Sequence, residues 1–77
     1  MTDAKRQTAL VVEDNEDNMV LITMLLNNAE YDTVWAATGL QAVEQAIERR
    51  PDFIILDIQL PDIEGTEVLR RIRALDT

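Results

Sequence analysis

The sequence predicts an α/β fold in which short parallel strands alternate with helices. Thr8–Val12 and Phe53–Leu56 are short, apolar and β-prone with no polar alternation, the pattern of strands covered on both faces. Between and after them, apolar residues recur at helical spacing. Gly39, Pro51, Pro61 and Gly65 punctuate the chain near the points where one pattern gives way to the other.

Taken in order, Thr8–Val12 is a central strand, and Asn15 can cap a helix running from about Glu16 to Asn28. Thr33–Ala36 is a weaker strand, expected at a sheet edge. Ala42, Val43, Ala46 and Ile47 make an apolar stripe on a second helix, which starts at Thr38 and Gly39 and closes at Pro51. Phe53–Leu56 is the strongest strand signal. Val68, Leu69, Ile72 and Leu75 stripe a third helix, with Glu67 and Arg71 at the favourable i,i+4 spacing. The β-α-β-α-β-α order implies a parallel sheet with right-handed crossovers. The first helix departs from the pattern. Met19–Ile22 and Met24–Leu26 cover nearly its whole circumference, and one sheet can bury only one side of it. Tyr31 and Trp35 are assigned to packing, and Met19 and Met24 to the core rather than to a cofactor.

Composition narrows the function. The chain has 77 residues, 7 basic and 15 acidic, for a formal charge of −8, which means one domain at most. That charge argues against nucleic acid, whose phosphates need a basic surface. Arg70, Arg71 and Arg73 cluster, and the simplest reading is a solvated helix face. An apolar content of 47% is too high for a disordered tail. Cysteine and histidine are absent, which removes disulfides, thiolate metal sites and the commonest general base. Residues 1–7 are polar, lack a signal-peptide core and are expected to be disordered, leaving 8–77 as the domain. No apolar run approaches the ~18 residues a membrane span needs, so no membrane partner and a cytoplasmic location are expected.

Three acids stand where strands end. Glu13 and Asp14 directly follow the first strand, and Asp57 directly follows the third. Function in open α/β sheets gathers at the carboxyl ends of strands, where connections diverge. If the second and third strands flank the first, Glu13, Asp14 and Asp57 converge on one crevice. Clustered carboxylates do not stay ionised together without a cation, and oxygen-only ligands suit Mg²⁺ or Mn²⁺. A carboxylate beside Mg²⁺ can also attack phosphorus to give an acyl phosphate. Each acid alone has an ordinary alternative: a helix cap for Asp14, a turn residue for Asp57. The stretch Leu60-Pro-Asp-Ile-Glu-Gly65 is a rigid turn leading into a helix.

Val11-Val-Glu-Asp-Asn15, Ala37-Thr-Gly39 with Ala42, and Ile54-Ile-Leu-Asp-Ile-Gln-Leu-Pro-Asp-Ile-Glu-Gly65 together resemble the receiver domain of two-component response regulators, over residues 8–75. The resemblance implies a flavodoxin-like three-layer fold with strand order 2-1-3 for the strands present. It implies Asp57 as phosphoacceptor, Asp14 as a direct Mg²⁺ ligand and Glu13 as a ligand through water. It also implies the backbone carbonyl of Gln59 as the remaining protein ligand to the metal, with Pro61 and Gly65 shaping the loop. The implied partner is a sensor histidine kinase or phosphotransfer protein that donates from phosphohistidine, with Mg²⁺ neutralising the transferring group. The protein is then a phosphoacceptor rather than an enzyme.

Receiver domains have five βα units, and this sequence carries three. The family's Ser or Thr after the fourth strand has no counterpart, nor does its Lys after the fifth; the one lysine, Lys5, precedes the first strand. The sequence is therefore expected to act as the N-terminal part of a receiver, with impaired phosphorylation. It is also expected to form a homodimer or swapped oligomer through the Phe53–Leu56 edge and the Met19–Leu26 helix. The alternative is a self-associating structural module without phosphoryl transfer. A phosphatase of the haloacid-dehalogenase kind ranks far below, because it wants a second Asp two residues after the first, where Gln59 stands.

Overall fold

The computed structural model describes residues 6–56 and 60–74. Strand β1 (Thr8–Val12) leads to helix α1 (Glu16–Asn28), then β2 (Asp32–Ala36), α2 (Gly39–Arg49), β3 (Phe53–Leu56) and α3 (Gly65–Ala74). All pairing is parallel, and the order is β2-β1-β3, as expected for a flavodoxin-like α/β chain. Of the expected N-terminal segment, residues 1–5 lie outside the described residues. Arg6 donates to the Tyr31 carbonyl at 3.0 Å and pairs with Asp32, while the Gln7 carbonyl accepts from the Asp32 amide.

β1 occupies the centre because Ala9–Val12 present apolar side chains to both faces, and these four residues are essentially sealed from solvent. Leu10 and Val12 face α2 and α3, where they join Val34, Ala36, Ala42, Ala46 and Val68 in the main core. Alternation along the strand sends Ala9 and Val11 to the α1 side. Tyr31 and Phe53, on the chains flanking β1, meet edge to face with ring centres 5.2 Å apart.

The helices are capped as their sequences imply. Asn15 Oδ1 accepts the Asn18 amide at 3.1 Å, and Glu16 and Asp17 place negative charge on the first turn of α1, where the helix dipole favours it. Thr38 Oγ1 accepts the Gln41 amide at 3.1 Å, and Gln41 returns an acceptor to the Ala37 amide at 2.9 Å. α2 ends at Arg50 in the left-handed region, φ 44°, just before Pro51.

Where the structure departs from expectation, coverage is the reason. β3 is half-buried throughout rather than sealed, because it pairs with β1 on one side only among the described residues. α1 is buried on one side only, as its all-round apolar sequence implied: Met19 is its one buried residue, while Val20, Leu21 and Leu25 are more than half exposed, and so is Met24, which was expected in the core. Trp35, expected to pack, is 60% exposed: β2 is an edge strand, and α1 covers the indole from one side only. Ile47 and Leu69, read as parts of core stripes, stand at the margins of theirs and remain exposed; Leu75 lies outside the described residues. Among the described residues, no helix is long and apolar enough to cross a membrane.

Gly39 is buried, and the reason is close approach. A Cβ there would stand 2.4 Å from Ile63 Cγ1 and 2.8 Å from a Cγ of the fully buried Val68. Gly39→Ala should therefore cost about 1–2 kcal/mol net, overpacking outweighing the helix propensity alanine brings. A lowered urea midpoint with unchanged m-value is the measurement.

On α3, Arg70 donates to both carboxylate oxygens of Glu67 at 2.9 and 2.5 Å, and Arg71 donates at 2.8 Å. The bonds from Arg70 first, then Arg71, pull the Glu67 carboxyl from its ordinary 4.5 down to about 2. The folded chain holds this proton less tightly than the unfolded one. The cluster therefore supports α3 above the ordinary carboxylate range and loses that support as the pH falls through about 2. The Glu67 carboxyl carbon should titrate by NMR with a midpoint near 2, and Arg70→Ala should move it upward.

Candidate functional site

The carboxyl end of the sheet is built by register. Val12 stands opposite Ala36 on one side and Leu56 on the other, so all three strands end level. The Glu13 amide donates to the Ala36 carbonyl at 3.0 Å, extending the ladder one residue and placing Glu13 at the rim. Its carboxylate curls back, with Oε2 3.4 Å from the Asn15 amide, a long bond at best. Asp14 follows in the turn before α1. It is exposed, and its carboxylate has no partner among the described residues.

Of the expected acidic trio, Glu13 and Asp14 are thus adjacent at the end of the central strand. Asp57 and Gln59 lie outside the described residues, and among the described residues no three acids gather as a metal site. Asp57 is the residue next in sequence after Leu56, as Glu13 is after Val12. The donors described are hard oxygens with unspent lone pairs, which fits Mg²⁺ better than a softer metal.

The loop leading into α3 is tied to the start of α2. Asp62 Oδ1 accepts the Gly39 amide at 2.7 Å, and its Oδ2 accepts the Leu40 amide at 2.9 Å. These two amides, Gly39 before Leu40, hold the Asp62 carboxyl below the usual carboxylate range. Sequence reasoning placed Asp62 in a rigid turn and missed this bond, which spans more than twenty residues of chain. The visible signal was a helix start at Gly39 whose leading amides Thr38 alone could not satisfy.

Size does not mark the site. A groove of about 540 Å³ between α2 and α3, lined by Ile47, Phe53, Ile54, Leu69 and Ile72 among others, opens at the opposite end of the sheet from Glu13 and Asp14.

Residues 9–77 match the response regulator receiver domain family. The chain belongs to that family. It is 42% identical over 67 residues to the polar-differentiation response regulator DivK of Brucella anthropi, and 40% identical to that of Brucella ovis. Each match covers 87% of this chain and 54% of the relative, so this receiver sequence spans about half the length of the curated relatives it matches. Among solved structures, the receiver domain of the sensor histidine kinase PA1611 from Pseudomonas aeruginosa PAO1 superposes with a TM-score of 0.86 at 38% identity. That match covers 91% of this chain and 57% of that one, and the structure holds a magnesium ion coordinated in its active site cleft. The Vibrio cholerae chemotaxis protein CheY4 superposes with a TM-score of 0.90 at 28% identity, covering 94% of this chain and 60% of its own. In this receiver chain, Glu13 and Asp14 stand where the strands of the sheet end together, and Asp62 ties the following loop to α2.

Proposed function

We propose that this chain is the phosphoacceptor part of a two-component receiver, with Asp57 taking a phosphoryl group from the phosphohistidine of a sensor kinase or phosphotransfer protein. A carboxylate oxygen of Asp57 attacks phosphorus, the P–N bond breaks, and the released imidazole nitrogen takes up a proton. Asp14 would hold Mg²⁺ directly, Glu13 through water and Gln59 through its backbone carbonyl. When bound, the ion neutralises charge on the transferring group. The observation that supports this reading most is the placement of Glu13 and Asp14 at the level end of β1 and β3, in a chain of the receiver family. The magnesium ion in the PA1611 receiver supports the choice of metal. The chain acts as a phosphoacceptor rather than as a turnover enzyme, and a cytoplasmic location without nucleic acid or membrane suits its charge of −8.

A second reading rests on exposed surface. Val20, Leu21, Met24 and Leu25 form a continuous apolar face on α1, and β3 leaves one edge unpaired among the described residues. Both favour a two-fold homodimer or a swapped assembly, in which a second copy covers them.

Intact mass after incubation with Mg²⁺ and a small acyl phosphate tests the first reading. A phosphate adduct on the parent that is absent from Asp57→Asn is expected; no adduct on folded protein would refute it. For the second, sedimentation velocity at micromolar concentration should show a dimer that Met24→Glu with Leu25→Glu returns to monomer. A parent that is already monomeric would end that reading.

A further inference from the structure

The groove between α2 and α3 has a volume of about 540 Å³, within the range of small-molecule sites. Its lining is mostly apolar and comes from three elements: Ile47 of α2, Ile54 of β3, and Leu69 and Ile72 of α3. Ile47 is 52% exposed and Leu69 38%. These two side chains belong to different helices lining one groove, and the core buries neither. An apolar body seated between them would take both out of water, which is favourable in proportion to the area covered.

Two charged residues line the same groove, Arg50 and Asp52. Asp52 is committed to the sheet: its Oδ2 accepts the Thr8 amide at 2.7 Å, and its own amide donates to the Thr8 carbonyl at 2.8 Å. Arg50 is exposed, and among the described residues no carboxylate pairs with its guanidinium. Its charge is not needed to close α2, because Arg49 already places a cation in the last turn. Arg50 ends the helix in the left-handed region, φ 44° and ψ 63°, where a Cβ is disfavoured and glycine is the usual residue. An arginine here costs the fold some stability, and it presents a planar fork of donors that matches a carboxylate. In a chain of net charge −8, this puts a local cation beside an apolar hollow.

We propose that this groove binds a small amphipathic carboxylate, with its apolar body against Ile47, Ile54, Leu69 and Ile72 and its carboxylate on the Arg50 guanidinium. The complementarity is of two kinds, apolar to apolar and anion to cation, and it rejects two neighbouring classes of ligand. A wholly polar anion leaves Ile47 and Leu69 in water, and an amphipathic cation meets Arg50 with like charge. The groove opens at the opposite end of the sheet from Glu13 and Asp14, so the inference is independent of the phosphoacceptor reading.

The test uses the 77-residue chain, with decanoate below its critical micelle concentration as the probe and backbone amide NMR shifts as the readout. Decyltrimethylammonium is the probe of opposite charge, and acetate carries the headgroup alone. Expected are saturable shifts at Ile47, Asp52, Ile54, Leu69 and Ile72 with decanoate, an affinity about threefold weaker for decyltrimethylammonium, and no saturation with acetate. Arg50→Gly removes the guanidinium at a position whose backbone glycine favours. It should weaken decanoate binding about threefold while the urea midpoint stays at or above that of the parent. Arg49 does not line the groove, so Arg49→Ala should leave the decanoate affinity unchanged. An Arg50→Gly affinity equal to the parent's overturns the proposal, as does equal affinity for the two decyl probes. An equal loss in Arg49→Ala marks a general charge effect and overturns it too. Absence of saturable shifts, or shifts confined to the exposed apolar residues of α1, also overturns it. If Arg50→Gly does not fold, Arg50→Gln decides: weakened affinity supports the proposal, and parent-like affinity overturns it.

Discussion

Parallel pairing of β1 with a strand on each side is the constraint on which the rest of the structure depends. A strand flanked on both edges and covered on both faces must be apolar at every position, and Ala9–Val12 meet that demand. Parallel neighbours require crossovers long enough to return the chain to the starting end of the sheet. The helices supply that length, and right-handed crossovers place α1 on one face and α2 with α3 on the other. The same geometry brings the carboxyl ends of all three strands to one level, so the polar residues that follow them become neighbours. The candidate site is in this sense a product of the backbone ladder. Glu13 owes its place to one more rung, its amide on the Ala36 carbonyl.

The second constraint is the satisfaction of helix ends. α1 is capped within its own turn by Asn15, whereas α2 draws on two sources, Thr38 locally and Asp62 from a distant loop. A cap supplied from afar does more than complete hydrogen bonds, because it links elements that are otherwise joined only by apolar contact. Gly39 is what allows that link to be short. Its missing side chain leaves the space that Ile63 and Val68 fill, so the carboxylate of Asp62 can reach the backbone.

What the sheet does not cover is as informative as what it does. The large apolar residues of α1 lie mostly in solvent, and Trp35 stands beside Met24 over a shallow hollow of about 190 Å³. Exposed apolar area on this scale weakens a small domain, since burial is what offsets the entropy of ordering the chain.

The amino-acid sequence by itself determined the alternation of strands and helices, their ends to within a residue or so, the caps at Asn15 and Thr38 and the family. These rest on local periodicity, local capping chemistry and a contiguous motif, all properties of neighbours along the chain. It also determined that Glu13 and Asp14 follow the central strand and that α1 is too apolar for one sheet. Only the tertiary structure decided what distant segments do to one another. Leu69 and Ile47 carry the right spacing for a core stripe yet remain exposed, because spacing says which side of a helix is apolar and not how far a neighbour reaches over it. Trp35 is exposed for the same reason. Asp62 looked like a turn residue because its partners lie more than twenty positions away, and Gly39 looked like part of a cap because nothing local shows that Ile63 will press against it. Long-range contacts depend on the closure of the whole chain, and a pattern of neighbours carries no record of them.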